Sequence, residues 1–133
     1  HALGFALAWP DRRVILLDGD GSLLMNLGCL VTNANTAPKN LFHFVFENGT
    51  YEANGGHPIP GQDSVDFSGM AHAAGYKNCQ GVSDIKVFEE SIGSILQAEG
   101  PTLRKVNRWV SGLPTRCRSA WRSRRPRRRQ NLV

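Results

Sequence analysis

Cysteine and long apolar runs are both scarce in this chain of 133 residues. The three cysteines, Cys29, Cys79 and Cys117, are odd in number and show no metal-ligand spacing. A disulfide framework and a zinc site are therefore not expected, and free thiols in a reducing cytoplasm are. No apolar run approaches the roughly 20 residues of a membrane span. The sequence opens on His1 rather than methionine, and its early apolar stretch has no basic flank, so no secretory signal is expected. Acidic residues are missing only locally. All 11 precede Leu103, where just Arg12, Arg13, Lys39, Lys77 and Lys86 oppose them. Residues 104–133 hold every other basic residue and no acidic one. The formal net charge of +5 thus belongs to a basic tail (104–133) that follows an acidic domain (1–103).

What is present reads as alternating strands and helices. Ala2 to Ala8 has the look of a helix end, closed by Trp9-Pro10. Arg13 to Leu17 predicts a strand buried on both faces, as parallel strands are. Leu23, Leu24, Leu27, Leu30 and Val31 fall at helical spacing, which predicts an amphipathic helix over 23–35 that stops at Pro38-Lys39-Asn40. Leu41 to Phe46 predicts a second buried strand. Residues 49–62 hold four glycines and two prolines and predict a long loop. A helix from Asp63 to Ala74 should turn Val65, Met70 and Ala73 inward. A short strand follows at Asn78 to Val82. Ser83-Asp84 should cap a helix reaching Ala98, with Ile85, Phe88, Ile92 and Leu96 as its apolar stripe. Gly100-Pro101 ends that helix, and a last strand starts near Thr102. This order predicts an α/β fold: a parallel sheet with helices on both faces.

The chemistry gathers where the first two strands end. Val14-Ile15-Leu16-Leu17 leads into Asp18-Gly19-Asp20-Gly21-Ser22. After a spacer of 26 residues counted from Gly21 comes Asn48-Gly49-Thr50. In parallel α/β sheets ligands bind outside the carboxyl ends of the strands. Gly19 and Gly21 allow a tight turn and close approach to a ligand. Ser22 stands at a helix start, where free N–H groups favour phosphate. A carboxylate, an amide oxygen and a backbone carbonyl are hard ligands suited to Mg²⁺. Competing readings fit less well. A bare turn does not account for Asn48. A calcium loop centred on Gly21 would put Leu16 and Leu27 at its first and last ligand positions. Asn48-Gly49-Thr50 matches a glycosylation sequon, but nothing else points to secretion.

Gly19-Asp20-Gly21-Ser22 and Asn48, at this spacing, resemble the diphosphate-binding motif of thiamine-diphosphate enzymes. That motif is a Gly-Asp-Gly followed about two dozen residues later by Asn-Asn; here the first Asn position holds Glu47. The similarity runs from His1 to about Leu103. Ala2 to Ala8 with Pro10, Arg13, Val14 and Ile15 resembles the helix and strand leading into the motif, and Gly100-Pro101-Thr102 the approach to the last strand. The resemblance implies the thiamine-diphosphate-binding fold. It implies that Gly19, Asp20, Gly21, Ser22, Asn48 and Thr50 bind thiamine diphosphate, and that Asp20, Asn48 and the Thr50 carbonyl hold Mg²⁺. Asn48-Gly49-Thr50-Tyr51-Glu52, Gly55-Gly56-His57-Pro58 and Asp66-Phe67 resemble the sulfopyruvate and phosphonopyruvate decarboxylases, which more often have Gln at His57. A 2-oxoacid decarboxylase is the implied activity. The alternative is a non-catalytic fragment of an acetolactate synthase or benzoylformate decarboxylase relative.

The resemblance also implies what lies elsewhere. The family's aminopyrimidine-binding domain, with its activating glutamate, has no counterpart in these residues. Nor does the segment just upstream that props the cofactor in its bent form. The chain is therefore expected to act in a homo- or hetero-oligomer with such a domain or subunit, as half of an enzyme, a piece of a longer chain, or a degraded product. The basic tail over 104–133, densest at Arg116, Arg118, Arg122, Arg124, Arg125, Arg127, Arg128 and Arg129, reads first as a frame-shifted or decayed end, then as disorder, and last as a nucleic-acid arm. His57 reads as a solvated loop residue that could reach substrate. His43 reads as structural, His72 as a surface residue, and Cys29 as a small core residue.

Overall fold

A computed structural model describes residues 1–62 and 64–111. Helix α1 (Ala2–Ala8) leads to strand β1 (Val14–Gly19), then helices α2 (Asp20–Met25) and α3 (Cys29–Thr36) and strand β2 (Leu41–Glu47). The next segment contains the short strands β3 (Thr50–Tyr51) and β4 (His57–Pro58). Helix α4 (Phe67–Ala74), strand β5 (Asn78–Asp84), helix α5 (Ile85–Gln97) and strand β6 (Thr102–Ser111) complete it. The main sheet has the order β1-β2-β6-β5, and every pair in it is parallel. The predicted α/β class, a parallel sheet with helices on both faces, is the observed one.

Each face has its own core. On one, Val45 and Leu103 meet Leu23, Leu30, Phe67, Ala71 and Tyr76 from the helices and the turns beside them. On the other, Phe42, Phe44 and Val106 meet Ile95, with Ile85, Phe88, Ile92 and Leu96 around it. The predicted stripe of α5 is thus the packed one, with Ile95 added. Asp84 caps α5 as expected, accepting from the N–H groups of Lys86 at 2.8 Å and Val87 at 3.4 Å.

Four local expectations need correction. Strand β1 is not buried on both faces: Ile15 is 50% and Leu17 67% exposed. It is an edge strand, and α5 packs over the β2 and β6 side chains rather than over it. The single helix over 23–35 is two helices, broken where Asn26 leaves helical geometry (φ −136°, ψ 48°) ahead of Gly28. Asn and Gly are poor helix formers, and local turns, Cys29 N–H to Asn26 and Leu30 N–H to Leu27, bridge the gap. Leu23 and Leu30 still share one core, but Val31 is exposed. In α4 the buried residues are Phe67 and Ala71, one turn apart, while Met70 and Ala73 face outward. The loop after Asn48 holds a small antiparallel pair, β3 with β4.

Strand β6 also continues past Leu103. Its pairing with β2 runs from Thr102 to Asn107, with Arg104 and Val106 buried. The Arg104 guanidinium donates to the carbonyl of Asn78 at 3.2 Å. The Arg-rich stretch from Arg116 lies outside the described residues.

Tyr76 offers a pH test of this core. Its hydroxyl accepts from Asn33 Nδ2 at 3.0 Å, and burial pushes its pKa from 10.0 up to about 12 although that hydrogen bond pulls the other way. The folded tyrosine holds its proton where the unfolded one loses it. Its contribution is therefore complete below pH 10 and is lost as the pH rises toward 12. Denaturant unfolding at pH 9 and 11.5 should show wild type losing more stability than Tyr76→Phe, by something on the order of 1–2 kcal/mol. Equal losses would mean that the hydroxyl is not held neutral.

Candidate functional site

The motif residues meet at the carboxyl end of the sheet because β1 and β2 are neighbours in register, with Gly19 opposite Phe46. Where β1 ends, α2 begins, and Asp20 is its first residue. A carboxylate there sits favourably in the helix dipole. Asp20 is only 1% exposed. One of its oxygens accepts from the Gly21 N–H at 2.8 Å, the other from the Gly49 N–H at 2.7 Å. The second bond draws the turn after β2 onto the turn after β1.

That second turn is also tightly built. Asn48 Oδ1 accepts from the Thr50 N–H at 2.8 Å and lies 3.1 Å from the Thr50 hydroxyl. Between them Gly49 has φ +71°, a left-handed conformation that favours glycine. Gly21 answers a different need. A Cβ there would lie 2.8 Å from Cδ1 of the Tyr51 ring and 3.2 Å from the Thr50 carbonyl oxygen. Only glycine lets that carbonyl approach α2 so closely.

All six residues predicted for the site, Gly19, Asp20, Gly21, Ser22, Asn48 and Thr50, line one cleft of about 260 Å³. Met25, Tyr51, Glu52, Ala53 and Asn54 complete the lining. The last four belong to the segment read as loop. Their nearness to Thr50 in the chain is the one sequence signal that could have found them. His57 is not in this lining; it is exposed, with its ring beside Gly55.

His43, read as structural, is buried, with Nε2 3.2 Å from Asp18 Oδ2. Asp18 Oδ1 accepts from the Gly19 N–H at 2.9 Å. Burial raises the Asp18 pKa, but His43, Ser22 and the Gly19 N–H together outweigh it and hold it below the usual value. Asp18 thus ties the end of β1 to the buried His43. His72 is exposed and Cys29 packs against the core, as read from the sequence.

The predicted ligands in the cleft are hard oxygens: the Asp20 carboxylate, the Asn48 amide and the Thr50 carbonyl, with the Glu52 carboxylate also in the lining and accepting from the Thr50 hydroxyl at 3.3 Å. Among the described residues no three His, Cys, Asp or Glu side chains cluster as metal ligands. A soft metal finds no match in these oxygens. Mg²⁺ fits, because it commonly takes one or two carboxylates and fills its remaining positions with water and phosphate oxygens.

The profile of the family described as thiamine pyrophosphate enzyme, C-terminal TPP binding domain, matches residues 1–106. The chain belongs to this family. Among similar proteins, phosphonopyruvate decarboxylase of Streptomyces viridochromogenes is 39% identical over 101 residues, which cover 76% of this chain and 25% of that one. Sulfopyruvate decarboxylase subunit beta of Methanothermobacter thermautotrophicus is 38% identical over 104 residues, 78% of this chain and 52% of that one. The chain therefore spans a quarter to a half of these relatives. A crystal structure of benzoylformate decarboxylase from Polynucleobacter necessarius aligns with a TM-score of 0.59 at 20% identity, covering 80% of this chain and 21% of that one. At that identity the likeness concerns the fold. As a domain of this family, the chain is a thiamine-diphosphate-binding one. No helix among the described residues is long and apolar enough to cross a membrane.

Proposed function

We propose that this chain is the diphosphate- and Mg²⁺-binding part of a cytoplasmic 2-oxoacid decarboxylase similar to the phosphonopyruvate and sulfopyruvate enzymes. The observation that carries the reading is the 2.7 Å hydrogen bond from Gly49 N–H to Asp20. It joins the two halves of the motif and turns Asp20, Asn48 and Thr50 toward one cleft. In this reading Asp20, Asn48 and the Thr50 carbonyl would hold Mg²⁺, and Gly19, Gly21 and Ser22 would bracket the diphosphate. Bound thiamine diphosphate supplies the nucleophilic carbon and the electron sink that a 2-oxoacid needs to lose CO₂.

The chain's own residues contribute position and charge. Asp20 arrives already oriented by two amide hydrogen bonds, so metal binding costs it little reorganisation. Its remaining lone pairs would be left for an ion, while Asn48 and Thr50 would add dipoles without adding negative charge beside a diphosphate. The Tyr51 ring packs over Gly21 and closes one wall of the cleft.

An aminopyrimidine-binding domain or subunit is the proposed partner, in a homo- or hetero-oligomer. The Methanothermobacter relative carries a subunit name, which supports a separate chain. Exposed apolar side chains, among them Phe5, Trp9, Leu17 and Met25, give such a partner a surface to cover. Calorimetry on the full chain, together with the partner, should show thiamine diphosphate binding that depends on Mg²⁺. Folded protein that binds no cofactor at millimolar concentration would leave the chain a non-catalytic relative.

A further inference from the structure

The carboxyl edge of the sheet holds a second acidic residue for which the proposed metal site has no use. Glu47 ends β2 and immediately precedes Asn48. It stands where the resembling motif has its first asparagine. A carboxylate there adds negative charge beside a cleft meant for a diphosphate, and partly buried surroundings screen such repulsion poorly.

The structure shows where that charge is spent. Glu47 Oε2 lies 3.3 Å from Lys105 Nζ, and the two side chains are only 17% and 24% exposed. Strand β6 lies next to β2, with Lys105 in register with Val45 and Asn107 with Glu47, so both side chains stand on one face of the sheet. It is the face that packs against Leu23 of α2. Gly81 sits opposite Lys105 on β5, where a Cβ would come within 3.3 Å of Lys105 Cε. The lysine stem thus lies close over a glycine, with its ammonium aimed at Glu47.

We infer that Lys105 is a positioning residue of the diphosphate site: it neutralises Glu47 and keeps that carboxylate turned away from the ion and phosphates held by Asp20, Asn48 and Thr50. The inference rests on the cofactor reading above. It makes Glu47 and Lys105 a matched pair, each tolerable only with the other. Removing the lysine leaves a partly buried, unpaired carboxylate one residue from a metal ligand, whereas removing both charges restores neutrality.

The test is calorimetric titration of thiamine diphosphate with saturating Mg²⁺ into the full chain with its partner. Lys105→Met should weaken binding tenfold or more, while Lys105→Arg should stay within threefold of wild type. Adding Glu47→Gln to Lys105→Met should bring affinity back to within threefold of wild type, a recovery that a purely structural role for the lysine stem would not produce. Unchanged affinity in Lys105→Met, or no recovery in the double variant, overturns the inference. Should Lys105→Met fail to fold, the charge-free double variant decides it: near-wild-type affinity supports the pairing, and a tenfold loss overturns it. Wild type that binds no cofactor sinks the cofactor reading and this inference together. Wild type that binds, with an indifferent Lys105→Met, sinks this inference only.

Discussion

Asp20→Ala should weaken Mg²⁺-dependent binding of thiamine diphosphate by at least tenfold, about 1.4 kcal/mol. Asp20 is the only charged ligand in the proposed metal set. Without it the ion rests on an amide, a carbonyl and the cofactor's own phosphates. The substitution also strips the partner from the N–H groups of Gly21 and Gly49, so the two motif turns lose their connection. Asn48→Ala removes a neutral ligand and should cost less affinity. Asp18→Ala should separate the two carboxylates by role. It leaves the buried His43 without its acid partner, which lowers stability, but it should leave metal dependence intact. The measurement is calorimetry with and without Mg²⁺, alongside thermal unfolding. If Asp18→Ala and Asp20→Ala damage metal-dependent binding equally, the register of the site is wrong. If neither does, the motif is only a turn.

Gly21→Ala should be nearly as damaging, for a steric reason. The added methyl would stand 2.8 Å from a Tyr51 ring carbon and 3.2 Å from the Thr50 carbonyl oxygen. The ring can rotate away, but the carbonyl belongs to a turn that Asn48 holds by hydrogen bonds at 2.8 and 3.1 Å. A shift there moves a proposed metal ligand. The expected result is a loss of roughly 1–3 kcal/mol in stability, the usual scale of overpacking. A tenfold or greater loss of cofactor affinity should accompany it. Adding Tyr51→Ala should relieve the ring clash and recover part of the stability. It should recover less of the affinity, because the carbonyl contact remains. Urea unfolding and cofactor titration on the single and double variants check both statements. Wild-type affinity in Gly21→Ala would show that Thr50 does not have to lie against α2.

Both effects depend on a contact between residues far apart in the chain, and this separates what could be read from the sequence from what could not. The apolar runs ending at Asp18 and Glu47 mark two strands, and residues that end parallel strands lie at one edge of the sheet. With a glycine-flanked Asp20 after the first and Asn48 after the second, the place of the cleft and six of its lining residues were legible without coordinates. So was the α5 stripe of Ile85, Phe88, Ile92 and Leu96, because a period of 3.6 has one packed face wherever the partner lies.

The amino-acid sequence by itself thus determined the α/β class, the motif and the six motif residues that line the cleft, since these follow from local periodicity and from glycines that permit unusual backbone. It could not say which strand is an edge. Ile15 and Leu17 read as buried, yet strand order left them exposed beyond the reach of α5. Nor could it show that helix 23–35 breaks at Asn26, because Leu23 and Leu30 keep one stripe across the break. The charged text after Leu103 read as the end of the apolar pattern. Only the register of β6 beside β2 showed that Lys105 reaches Glu47 and that Arg104 finds the Asn78 carbonyl. Local rules describe what a residue prefers; which distant group satisfies a charge or covers an apolar face is decided when the strands take their order.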